Sequence, residues 1–90
     1  MKHKHNYKWF FNYNKEKVEG QPDVSLFIKL FKKVTYVKAW KEKSKHKGFI
    51  CVNITTKTKP DMRKALTILK ENNFIRDIEH ELNDGCEKIK

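Results

Sequence analysis

Lysines and an aromatic ring come together in the stretch from Ser44 to Ile54, which reads Ser-Lys-His-Lys-Gly-Phe-Ile-Cys-Val-Asn-Ile. Lysine ammonium groups neutralise phosphates, and an aromatic ring offers a face on which a nucleobase stacks. The stretch ends a longer basic run, because Lys38 to Lys47 holds five lysines and one glutamate. This excess of cations is more than solubility requires. The residue types therefore suit contact with the phosphates and bases of a single-stranded nucleic acid.

The positive charge of the chain is concentrated in its first two thirds. The 90 residues carry a formal net charge of +10. Met1 to Pro60 holds 15 lysines and 4 acidic residues, whereas Asp61 to Lys90 holds 6 basic and 7 acidic residues. A surface for an anionic partner is therefore expected in the first part of the chain.

Catalytic chemistry has weaker support in the sequence. His46, flanked by Lys45 and Lys47, offers an imidazole beside two cations, and a nuclease can use an imidazole as a general acid or base. No other residue pattern positions this imidazole, and the sequence contains no Gly-rich phosphate loop or nucleophile elbow. His3 and His5 lack further ligands for a metal. We expect a protein that is not an enzyme and that uses neither a metal nor another cofactor.

The cysteines and the apolar runs indicate a cellular compartment. Cys51 and Cys86 lie far apart, without the spacing of a disulfide framework or a metal site, which favours the reducing cytoplasm. The charged start, Met1 to His5, leads into no apolar segment, and no apolar run approaches the roughly 18 residues of a membrane span. We expect a soluble intracellular protein without membrane contact.

The elements that must position the basic and aromatic residues can be read from the periodicity of the apolar residues. A period of two indicates a strand, and a period near 3.6 indicates a helix. The pattern predicts a strand from Tyr7 to Tyr13, a helix from Pro22 to about Lys33, a strand from Val34 to Lys41, a strand from Gly48 to Thr56, a helix that starts at Lys59 and stops at Asn72-Asn73, and a fourth strand from Phe74 to Leu82. The short link between the second and third strands implies an antiparallel hairpin.

This order of elements predicts an α+β fold of the ferredoxin-like, split β-α-β kind. In this β-α-β-β-α-β arrangement, four antiparallel strands form one sheet and two helices cover one of its faces. Residues 7–82 would form a single domain, flanked by a flexible basic tail at 1–6 and a flexible C-terminal tail at 83–90. The second face of the sheet would be left open.

Strand register decides which side chains occupy that open face. If the apolar residues of the third strand face the helices, then Lys47, Phe49, Cys51 and Asn53 face outward. The same argument places Tyr36, Lys38 and Trp40, and also Lys8, Phe10 and Asn12, on the open face. A reversed register of the first strand would expose Tyr7, Trp9, Phe11 and Tyr13 instead.

The same residues resemble the RNA recognition motif family. Asp23 to Phe31, Val34 to Lys38, Ser44 to Ile54 and Met62 to Leu66 are similar to its first helix, second strand, third-strand octamer and second helix, in that order. Lys47, Gly48, Phe49 and Val52 match the octamer, whereas Ile50, Cys51 and Ile54 depart from it. The resemblance implies that Phe10 and Phe49 stack bases, although Cys51 replaces one of the usual rings.

We therefore expect a small module that binds single-stranded RNA on the open face. The expected contacts are phosphate binding by lysines, stacking by rings and base-edge contacts by asparagines, from Lys8, Phe10, Asn12, Tyr36, Lys38, Trp40, Lys41, Lys43, Lys45, Lys47, Phe49 and Asn53. Two alternatives use the same surface. One is a protein-binding adaptor or inhibitor, such as a small viral or mobile-element regulator, and the other is a component of the ribosome or of another ribonucleoprotein.

Overall fold

Strands and helices follow the apolar periodicity through most of the chain. The computed structural model describes residues 5–16 and 24–88. In these ranges the elements are β1 (Tyr7–Asn14), α1 (Val24–Phe31), β2 (Val37–Lys43), β3 (Phe49–Thr56), α2 (Lys59–Glu71), α3 (Ile78–His80), a π-helical turn (Glu81–Gly85) and β4 (Cys86–Lys88). The protein is thus an α+β structure with three helices and four strands in its described part.

The four strands form one antiparallel sheet in the order β2-β3-β1-β4. Strand β3 pairs with both β1 and β2 along most of its length. The pairing of β4 with β1 is short, since it covers only Tyr7 to Trp9 of β1. The central strands β1 and β3 therefore take part in most of the pairing in the sheet.

One face of the sheet packs against the helices and forms the core. Trp9 and Tyr13 of β1 are buried together with Val52 and Ile54 of β3. The helical residues in the same apolar cluster are Phe27, Phe31, Met62, Ala65, Leu66 and Leu69. Ring contacts extend through the cluster, because Phe27 packs against Trp9, Phe31 and Phe74. This burial fixes the register of β1, since shifting it by one residue would bring the open-face side chains into the core.

Helix α2 has well-formed ends. The Thr58 hydroxyl accepts a hydrogen bond from the Asp61 amide at 3.2 Å, and Pro60 occupies the first turn, where no amide donor is needed. At the other end Asn73 adopts φ 65°, so the left-handed stop predicted at Asn72-Asn73 is present. In the β2-β3 hairpin, Gly48 has φ +87°, a conformation that a side chain would strain.

The prediction of a fourth strand from Phe74 to Leu82 was wrong. This segment contains α3 and the start of the π-helical turn, and the fourth strand is Cys86–Lys88. The carboxylate of Asp77 accepts hydrogen bonds from the amides of Glu79 and His80, which caps a helix start. Ile78 and Leu82, four residues apart, both pack at the core as helical spacing requires.

Other boundaries also differ from those predicted. Strand β2 begins at Val37 rather than Val34 and continues to Lys43. The segment 83–90, predicted to be a flexible tail, contains β4 within its described part. At the other terminus, His5 Nδ1 lies 2.9 Å from Thr55 Oγ1, within a segment predicted as a basic tail. The predicted helix start at Pro22-Asp23 and residues 1–4 of that tail lie outside the described residues. No helix in the described ranges is long and apolar enough to cross a membrane.

Candidate nucleic-acid interface

Nine side chains of β1, β2 and β3 form a regular array on the sheet face opposite the core, and Glu87 of β4 lies beside Lys8 on the same face. Directly opposite residues in antiparallel strands point to the same side of a sheet. The strand pairings therefore give three rows across β1, β3 and β2, which together we name the open face: Lys8, Thr55 and Lys38; Phe10, Asn53 and Trp40; and Asn12, Cys51 and Glu42. Each row is about 10 Å wide, because neighbouring strands lie roughly 4.8 Å apart.

Two of these rows combine cations with rings. The Lys8 ammonium lies 5.7 Å from the centre of the Phe10 ring, and the Lys38 ammonium lies 5.6 Å from the Trp40 ring. Each pair is formed by residues two positions apart on one strand, so β1 and β2 present the same motif on either side of β3. Distances close to 6 Å correspond to weak cation–π contacts, worth roughly 0.5 to 1 kcal/mol at exposed sites. A ligand can therefore separate each lysine from its ring at low cost.

Polar groups occupy the centre of the array. Asn53 is completely buried between Phe10 and Trp40, although it lies on the open face. Its amide Nδ2 donates to Glu42 Oε1 at 3.3 Å, and Cys51 Sγ lies 3.8 Å from its Oδ1. Burial of an amide is tolerated when its polar atoms have partners. The Glu42 carboxylate is thereby held at the edge of the array.

A groove runs from the open face into the β2-β3 hairpin. Its volume is about 530 Å³, within the usual range for ligand sites. It is lined by Lys8, Phe10, Asn12, Glu42, Lys43, Ser44, Lys45, His46, Cys51 and Asn53. Ser44 links its two sides, because the Ser44 hydroxyl donates to Asn12 Oδ1 at 2.8 Å. Cations outnumber the single carboxylate of this lining, so the groove favours an anionic ligand.

Eight of the twelve predicted contact residues meet on this surface. Lys8, Phe10, Asn12, Lys38, Trp40 and Asn53 belong to the open face, and Lys43 and Lys45 line the groove beside it. Asn53, predicted to contact base edges, is buried with its amide engaged by Glu42. Phe10 is 40% exposed, so its ring is available for stacking.

The other four predicted residues lie outside the three rows and the groove. The Tyr36 ring faces the Lys64 ammonium of α2, on the helix side, at 5.6 Å. Lys41 is opposite Val52, a core residue, and so has the orientation of the helix-facing set. Lys47 is exposed in the hairpin and does not line the groove. Phe49 lies on the same side of the sheet as Cys51 and Asn53, but it pairs with Asn14, at the far end of β3 from Phe10, and its ring contacts the ring of His46.

Phe10 and Phe49, the stacking pair expected from the sequence, are therefore not neighbours in the structure. Phe10 and Phe49 lie four residues apart along the β1-β3 pairing, or roughly 13 Å, whereas Phe10 and Trp40 share one row. The rings that face the same part of the sheet are thus Phe10 and Trp40. They occupy β1 and β2, which flank β3 on either side.

Four groove residues were missing from the predicted set: Glu42, Ser44, His46 and Cys51. Glu42 could have been found, because it continues the alternation of Lys38 and Trp40 along β2. The predicted strand ends at Lys41, so Glu42 falls in the connection between two predicted strands. Ser44 and His46 enter the groove through the shape of the hairpin, for which the sequence carries no periodic signal.

Comparisons with known proteins identify no relative of this chain. No protein-family model matches the chain, and neither the curated proteins nor the solved structures give a significant match.

Proposed function

We propose that this protein is a small module that binds single-stranded RNA on its open face. The observation that carries the proposal is the repeated pair of a lysine and a ring, Lys8 with Phe10 and Lys38 with Trp40, on either side of β3. A single-stranded nucleic acid repeats a phosphate and a base at each nucleotide, and the two pairs offer the same repetition of cation and ring.

The two rings would provide separate stacking positions. They stand about 10 Å apart across β3, so one base cannot cover both of them. When a base stacks on Phe10, the Lys8 ammonium is displaced from the ring and becomes available to the adjacent phosphate. Lys43 and Lys45 would hold phosphates where the strand continues into the groove.

A fold type and a cellular location accompany the proposed function. We propose that the sheet order and the helices on one face represent a ferredoxin-like, split β-α-β arrangement, with α3 and the π-helical turn inserted before β4. Cys51 and Cys86 are free thiols, which supports a reducing, intracellular location. We also propose a relationship to the RNA recognition motif family, supported by Lys47 and Gly48 before β3 and by Phe49 as its first residue.

The stacking part of the proposal can be tested with two neighbouring phenylalanines. Phe10 and Phe11 are 40% and 46% exposed, but only Phe10 faces the open side, because Phe11 contacts Trp9 and Tyr13. We expect Phe10→Ala to weaken binding of a fluorescein-labelled uridine decamer by about 1 to 3 kcal/mol, or roughly five- to 150-fold, with a similar loss for Trp40→Ala. Fluorescence anisotropy measures the dissociation constants.

Phe11→Ala is the matched control, since it removes an equally exposed ring from the same strand. It should leave RNA affinity unchanged, and circular dichroism would verify that each variant is folded. Equal affinities of Phe10→Ala and Phe11→Ala would contradict stacking on the open face. A complex with another protein that survives nuclease treatment and depends on Phe10 would favour the protein-binding alternative.

A further inference from the structure

Glu42 is the only carboxylate among the described residues that line the groove. Its negative charge repels phosphate, so it opposes the attraction of an anion by Lys8, Lys43 and Lys45 in the groove. A carboxylate in this position suits a ligand that offers hydrogen-bond donors. The inference that follows deepens the proposed function and rests on it.

A hydrogen bond from the side chain of Asn53 positions the carboxylate of Glu42. The fully buried Asn53 donates its amide Nδ2 to Glu42 Oε1 at 3.3 Å. This is the one hydrogen bond that Glu42 makes to the described residues, and an ionised carboxylate accepts at both oxygens. Acceptor capacity therefore remains on Glu42 for a ligand in the groove. Asn53 acts as a positioning residue for that carboxylate.

A complementary donor lies in the same row of the open face. Asn12 Oδ1 accepts from the Ser44 hydroxyl at 2.8 Å, which leaves the Asn12 Nδ2 group as a donor toward the groove. Asn12 and Glu42 stand on either side of Cys51. The row thus presents a donor at one end and a strong acceptor at the other.

We propose that this row selects guanine among the RNA bases. Guanine carries two adjacent donors, N1–H and the N2 amino group, which match the two oxygens of a carboxylate, and an O6 acceptor for the Asn12 amide. Uracil places carbonyl oxygens on both sides of its single N–H donor, which a carboxylate repels. Adenine and cytosine each offer one amino group beside an acceptor nitrogen. Glu42 reads the Watson–Crick edge while the base lies near the ring of Phe10.

The test compares uridine decamers that differ in one central nucleotide. Decamers with a central guanosine, adenosine or cytidine are titrated with the wild-type protein, and a single guanosine avoids structures formed by guanosine runs. We expect the guanosine decamer to bind about tenfold more tightly than the other two. In Glu42→Gln this preference disappears, whereas the affinity for an all-uridine decamer rises because a repelling charge is gone.

Glu71→Gln is the control with the same change of charge. Glu71 is an exposed residue of α2, on the helix side of the sheet, so its substitution should keep the guanosine preference. Equal wild-type affinities for the three decamers, or a preference that survives Glu42→Gln, would overturn guanine selection and leave RNA binding intact. Failure of the wild-type protein to bind any decamer would overturn both proposals.

Discussion

At the scale of single residues, the open face depends on a buried amide. Asn53 has no exposed surface, yet the alternation of β3 places it on the side away from the core. Water has no access to this side chain, and a buried amide without partners would cost about 1 to 3 kcal/mol. The contacts with Glu42 and Cys51 offset that cost. A substitution at Asn53 would therefore affect both the stability of the sheet and the position of Glu42 in the groove.

Cys86 provides a prediction about pH. Burial, with a further contribution from the negative charge of Glu81, raises the pKa of the Cys86 thiol from 9.0 to about 11. Because the folded-state pKa lies above the unfolded value, the stability from the neutral thiol is present below pH 9 and is lost as the pH rises through 11. In a Cys51→Ser variant, where Cys86 is the only thiol, we expect the alkylation rate in the folded protein to keep rising beyond pH 10.

Mass spectrometry after timed exposure to iodoacetamide measures that rate. The same variant unfolded in urea serves as the control, and its rate should level off once the pH exceeds about 10, because a thiol of pKa 9.0 is then almost fully ionised. Identical pH profiles in the folded and unfolded states would show that the fold does not suppress ionisation of Cys86.

At the scale of elements, α2 depends on its N-terminal cap. The Thr58 hydroxyl accepts from the Asp61 amide, one of the helix donors that has no partner within the helix. We expect Thr58→Ala to lower the free energy of unfolding by about 1 kcal/mol, measured by urea denaturation. Thr67→Ala is the control in the same helix, because Thr67 only donates to the Arg63 carbonyl one turn earlier. That change should be neutral or slightly stabilising, since alanine favours helices. Equal losses in both variants would contradict a specific cap.

The elements also show where sequence reasoning succeeded. Strands β1 and β3 and helix α2 were predicted within one or two residues, because each combines a long apolar period with clear end signals. The prediction for the segment from Phe74 to Leu82 was wrong because the segment is short and its apolar residues fit both a strand period and a helix period. Its decisive features were the Asp77 cap and the helical spacing of Ile78 and Leu82. Strand β4 spans only three residues, which is too few for any periodicity to indicate a strand.

At the scale of the whole molecule, the sequence predicts which side chains of a strand face outward, but it does not predict which residues lie opposite each other across the sheet. Burial of Trp9 and Tyr13 identifies the core side of β1, and alternation then places Lys8, Phe10 and Asn12 on the other side. The partners of these residues across the sheet depend on the register of β1 against β3 and on where the β2-β3 hairpin turns. The row of Phe10, Asn53 and Trp40 therefore required the structure, as did the separation of Phe10 from Phe49.

The distribution of charge over the molecule leads to a final prediction. If phosphates are bound in the groove, each contact releases counterions, and the logarithm of the association constant falls with the logarithm of salt concentration by about 0.7 per phosphate for a single strand. Lys45 lines the groove, whereas Lys70 is exposed on α2 at the helix side of the sheet. We expect Lys45→Gln to reduce the slope for a uridine decamer by about 0.7. Lys70→Gln removes the same charge and should leave the slope unchanged. Equal reductions in both variants would mean that RNA responds to the net charge of the protein rather than to a localised track of lysines.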